Sequence, residues 1–118
     1  MDDLNKTIRL AQESLHAIPQ GSPDRAKHLD DLGNWFGIRF ELLNNETDLK
    51  YAVKYTQEAL KAMRLDPQTR AGCLNNLGDT FSIRYSRTGD VHDLDQTITC
   101  LREGLEVYLI PTRIEQAA

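Results

Sequence analysis

Apolar residues recur along this chain at the three- and four-residue steps of an amphipathic helix, not at the alternation of a strand. Leu4, Ile8, Ala11, Leu15 and Ile18 form one stripe, and Leu94, Ile98, Leu101, Leu105 and Tyr108 repeat it step for step. A second kind of stripe runs through Leu29, Leu32, Gly33, Phe36, Phe40 and Leu43, with a copy in Leu74, Leu77, Gly78, Phe81 and Tyr85. Helix starts are marked by Ser22-Pro23 and Asp66-Pro67, each a capping side chain before a proline that suits the first helical position. Asp48 and Asp93, the latter with Gln96 three residues on, suit the other starts. Asn44 and Gly89 are residue types that accept the left-handed conformation that ends a helix. The pattern predicts five helices, at about residues 2–18, 23–43, 48–65, 67–87 and 93–109, then a short tail, with no strand.

The stripes are copies of one another. Sliding the chain by 45 residues superimposes Asp3-Leu4 on Asp48-Leu49 and Asp93-Leu94, Ile8 on Val53 and Ile98, and Leu15 on Leu60 and Leu105. It also sets Arg25-Ala26 on Arg70-Ala71, Leu32-Gly33 on Leu77-Gly78 and Ile38-Arg39 on Ile83-Arg84. The first 45 residues match the next 45 at fourteen positions, nine of them apolar or small. Such a period marks a repeat architecture, here units of about 1–45, 46–90 and a partial 91–118 in a single domain. Short links between amphipathic helices give antiparallel hairpins, and hairpins at a fixed period stack into a right-handed solenoid. The expected fold is therefore an all-α superhelix of about two and a half helical hairpins.

Composition narrows the function. A net charge of −4, with 14 dispersed Lys and Arg residues against 18 acids, argues against nucleic-acid binding. No apolar run approaches the roughly 20 residues that span a bilayer, and Met1-Asp2-Asp3-Leu4-Asn5-Lys6 lacks signal-peptide character, so the cytoplasm is the expected address. Cys73 and Cys100 fall in helical apolar patterns and read as two reduced core thiols. His16, His28 and His92 stand apart from any ligand-spaced Cys or carboxylate and read as surface side chains, and no phosphate loop or nucleophile elbow occurs. Neither enzyme chemistry nor a cofactor or metal is expected.

The stretches Leu29-Asp30-Asp31-Leu32-Gly33-Asn34-Trp35-Phe36 and Leu74-Asn75-Asn76-Leu77-Gly78-Asp79-Thr80-Phe81 resemble the first helix of a tetratricopeptide repeat. Ala52 and Ala59 resemble the small residues of that family's second helix. The 45-residue length, against the family's usual 34, is similar to the long repeats of fungal signalling proteins that carry NTPase or caspase-like domains, and more distantly to kinesin light chain. The resemblance implies a non-catalytic protein-interaction scaffold that binds a peptide or protein segment in a concave groove lined by first helices. It would place Lys27, Asp30, Asn34, Gly37 and Ile38 there from one repeat, and Gly72, Asn75, Asn76, Asp79, Ser82 and Ile83 from the next. Asn76 stands out, since an amide pairs with both groups of an extended peptide backbone. Asp30 and Asp79 exclude the family's carboxylate clamp and favour a basic or neutral partner.

A second function is open: a self-assembly or spacer module of a larger signalling protein. The last stripe, Leu94, Ile98, Leu101, Leu105 and Tyr108, has no following helix to cover it, so homodimerisation through this C-terminal helix is expected. Arg39 and Arg84 are expected to pair with Asp48 and Asp93 rather than meet a ligand. Trp35, whose repeat mate is Thr80, reads as a partly buried packing residue.

Overall fold

The structure, a computed structural model, describes residues 2–62 and 67–117, with side chains as far as Glu106. Its helices are α1 (Asp2–Ala17), α2 (Pro23–Leu43), α3 (Glu46–Ala62), α4 (Pro67–Thr88) and α5 (Val91–Ala117), and no strand occurs among the described residues. The chain forms two compact units, Met1–Ala62 and Met63–Ala118.

In the first unit α2 packs on both α1 and α3. Its start matches the sequence: Ser22 is the N-cap, its hydroxyl accepts from the Asp24 N–H, and Pro23 opens the helix. Its end matches too. Asn44 turns left-handed (φ 59°), and its N–H donates to the Phe40 carbonyl at 2.7 Å. α2 contributes Leu29, Leu32, Phe36 and Phe40 to the core, and α3 contributes Leu49, Ala52, Val53 and Ala59. Gly33 brings the two backbones together, because a Cβ there would lie 3.3 Å from the Ala52 carbonyl and closer still to the Thr56 hydroxyl. Phe36, Tyr51 and Tyr55 stack along one side of this hairpin.

The second unit is a hairpin of α4 and α5. Ala71, Cys73, Leu74, Leu77 and Phe81 of α4 are buried, together with Cys100 of α5. Gly89 (φ 72°) ends α4 as Asn44 ends α2, donating its N–H to the Tyr85 carbonyl at 2.8 Å. Both cysteines are buried free thiols.

Three sequence expectations need correction. Asp48 and Asp93 are not caps: α3 and α5 begin two residues earlier, and the cap side chains are Asn45, which accepts from the Thr47 N–H, and Asp90, which accepts from the His92 N–H. The aspartates sit inside the first turn, where arginines claim their carboxylates, so no capping box forms at Asp93 and Gln96. α5 does not stop near residue 109 but continues to Ala117, passing through Pro111, which forfeits one intrahelical hydrogen bond. The Asp66 cap and the end of α3 beyond Ala62 lie outside the described residues.

Candidate functional site

Each α-hairpin is clasped near its turn by an arginine and an aspartate nine residues apart. Arg39 Nε and Nη2 donate to Asp48 Oδ2 and Oδ1 at 3.1 and 2.9 Å. Arg84 Nε and Nη2 donate to Asp93 Oδ2 and Oδ1 at 2.9 and 2.8 Å. Both aspartates are buried, and each guanidinium also lies over an aromatic ring, Phe36 or Phe81, at 5.4 Å from the centroid. This two-point geometry uses the planar arginine fork fully. The arginines are thus structural, as their spacing implied.

The predicted groove residues form one strip per unit. On α2, Asp30, Asn34 and Ile38 follow each other at four-residue steps, with Asp30 half-buried and the other two exposed. On α4 their repeat mates Asn75, Asp79 and Ile83 do the same, with Asn75 and Asp79 exposed and Ile83 half-buried, as is Asn76. The side chains of Asn34, Asn75, Asn76 and Asp79 make no hydrogen bond among the described residues. Trp35 is 36% exposed, between a core residue and a surface one.

The stripe on α5 is open to solvent: Leu94, Ile98, Leu101 and Leu105 are 36%, 45%, 47% and 64% exposed. Tyr108, the last residue of the predicted association face, lies outside the described side chains, as do Val107, Leu109 and Ile110. Between α4 and α5 the same leucines border a cleft of about 390 Å³ lined by Ala71, Gly72, Asn75, Cys100, Leu101, Gly104 and Leu105. The cleft joins Asn75 of the predicted peptide strip to Leu101 and Leu105 of the predicted association face, two sets that sequence reasoning kept separate. A signal for it existed. At the matching positions of the first hairpin stand Lys27, Tyr55 and Ala59, so three side chains shrink, to Gly72, Cys100 and Gly104.

A larger hollow of about 590 Å³ in the first unit was not foreseen; Arg9, Glu13, His16, Lys54, Tyr55 and Glu58 are among its lining residues. Its charges are of both signs and its cations are partly engaged: Lys54 lies over Tyr51 and Tyr55, and Arg25, also on the wall, donates to the Leu15 and Ile18 carbonyls. It concentrates no single charge for a ligand.

Burial, and after it the nearby Glu103 carboxylate, pushes the Cys100 thiol above its ordinary range, which disfavours the nucleophilic thiolate. His28 Nδ1 is within 2.9 Å of the Asp24 carbonyl, while His16 and His92 are exposed. Among the described residues no cluster of three or more His, Cys, Asp or Glu is placed to hold a metal ion, and no helix is long and apolar enough to cross a membrane. Compared with protein-family models, curated proteins and solved structures, the chain matches none.

Proposed function

We propose that this chain is a non-catalytic scaffold of the tetratricopeptide kind that binds peptide or protein segments through the exposed strips of α2 and of α4, each within its own unit. One observation carries the reading: α2, packed on α1 and α3, and α4, packed on α5, both leave amide and carboxylate side chains, Asn34, Asn75, Asn76 and Asp79, exposed or half-exposed with no hydrogen-bond partner among the described residues. Polar groups held on a rigid helix, unused by the fold, are suited to pairing with an extended backbone. Asp30 and Asp79 give the strips negative charge, so a basic or neutral segment is the fitting partner. A cytoplasmic location accords with two reduced, buried thiols.

The test is a titration of the isotopically labelled chain with basic, neutral and acidic unstructured peptides, followed by amide shifts. Basic or neutral peptides should move resonances around Asn75, Asn76 and Asp79. Asn76→Ala should weaken the best binder by about 1 kcal/mol, the worth of one polar contact. Shifts elsewhere only, or unchanged affinity in both Asn76→Ala and Asp79→Lys, would sink the reading.

A second reading, self-assembly or a spacer role within a larger signalling protein, is favoured by the exposed leucines of α5. A stable homodimer at micromolar concentration, abolished by Leu101→Glu with Leu105→Glu, would support it.

A further inference from the structure

The first unit contains a worked example of how the stripe on α5 is covered. α1 and α5 carry the same pattern 90 residues apart: Leu4 matches Leu94, Ile8 matches Ile98 and Leu15 matches Leu105. On α1 the stripe is packed against α2, and Ile8 and Leu15 are 2% and 7% exposed. A polar contact pins the register: Arg39 Nη1 of α2 donates to the Asn5 side chain at 3.0 Å. On α5 the same stripe is bare, and the residue matching Asn5 is Asp95, an exposed carboxylate that makes no side-chain hydrogen bond among the described residues. An arginine arriving there would meet a full negative charge instead of an amide.

We propose that the exposed face of α5, with the cleft beside it, is a docking site for one amphipathic helix that has the α2 pattern. Its apolar stripe covers Leu94, Ile98, Leu101 and Leu105, one large apolar side chain enters the cleft over Gly72 and Gly104, and an arginine reaches Asp95. Charge and shape both select this occupant. The face carries an unpaired carboxylate where its covered counterpart has an amide, and its cleft is lined by Gly72, Cys100 and Gly104 where the first hairpin has a lysine, a tyrosine and an alanine. The site shares Gly72 and Asn75 with the strip on α4, and the two assignments are told apart because the docked helix needs Leu101, Leu105 and Asp95 whereas the extended peptide needs Asn76 and Asp79.

The experiment uses the whole chain and a synthetic peptide of residues 23–43, followed by calorimetry and by hydrogen exchange of the α5 amides. The peptide should bind and slow exchange along α5. Leu101→Glu with Leu105→Glu, both at exposed positions, should abolish binding while the helical circular dichroism is unchanged. Asp95→Arg should weaken binding about tenfold, as loss of a charge-assisted contact with added repulsion implies, and a peptide carrying Arg39→Glu should restore it. Three results overturn the proposal: no binding, binding that survives the double glutamate variant, or an α5-to-α5 homodimer that the peptide does not dissociate.

Discussion

Gly33 and Gly78 hold the same place in the repeat, yet a methyl group added to each meets a different wall. At Gly33 it would collide with the Thr56 hydroxyl, which donates to the Ala52 carbonyl at 2.7 Å and cannot rotate without losing that bond. At Gly78 it would lie 3.4 Å from the Cys100 Cβ, an ordinary contact. Gly33→Ala should therefore lower stability by about 1–3 kcal/mol, the cost of overpacking, and Gly78→Ala should raise it by up to about 1 kcal/mol through helix propensity. Urea midpoints decide this, and a Gly33→Ala protein as stable as Gly78→Ala would refute it. The shared Leu-Gly pair was legible in the sequence, but the difference was not, because it depends on which side chain of the opposing helix stands in front of each glycine. The clasps allow a second forecast. Arg84 retains 28% side-chain exposure and can rehydrate if its partner is lost. Asp93→Ala should thus cost roughly 2–3 kcal/mol, short of the roughly 3–5 kcal/mol of a fully enclosed pair. A double-mutant cycle with Arg84→Ala that returns no coupling would contradict it.

At the scale of the element, helix ends were read well where the backbone demands a special conformation and poorly where side chains compete. Asn44 and Gly89 both terminate helices with positive φ, as their residue types announced. Gly89→Ala puts a Cβ into the left-handed region and should cost about 1–2 kcal/mol, while Asn44→Gly should leave stability level or slightly higher. Thermal melts of the two variants would show it, and equal losses would count against the forecast. The N-caps of α3 and α5 were misplaced by three residues for a physical reason. Several polar residues crowd each junction, and capping propensity alone cannot tell that Asp48 and Asp93 are committed to arginines nine positions upstream. The pairing of Arg39 and Arg84 with these aspartates was itself legible in the sequence, and it competes with their use as caps, which leaves Asn45 and Asp90 for that role.

For the molecule as a whole, a 45-residue period says that the helices repeat but not which neighbours pair, since any phase of cutting has the same period. The compact units divide between α3 and α4, grouping each Leu-Gly helix with the helix that follows it. Link length held the answer: two residues join α2 to α3 and α4 to α5, against five between α1 and α2. The outer strips were legible because four-residue spacing projects residues onto one face. The α4–α5 cleft was not, because it arises from side chains that became smaller, and an apolar pattern records presence better than size. One consequence of the division is chemical. Both cysteines lie in the second unit, and Cys100 holds its proton more tightly folded than unfolded. Its stabilising contribution is complete below the ordinary thiol pKa and fades as pH climbs through the raised value. Alkaline pH should therefore accelerate hydrogen exchange in α4 and α5 beyond its intrinsic rate while sparing α1 to α3, and Cys100→Ala should remove the difference. Equal weakening of both units would disprove this. The two-residue turns, each closed by a clasp between residues nine apart, also bear on how the chain is made. Closing so short a loop sacrifices little chain entropy, and contacts so local give low contact order and rapid assembly. On a ribosome, the turn and both members of its ion pair are synthesised before the 17 residues of α3 are complete, so the groups that close the first hairpin are available while the second is still being made.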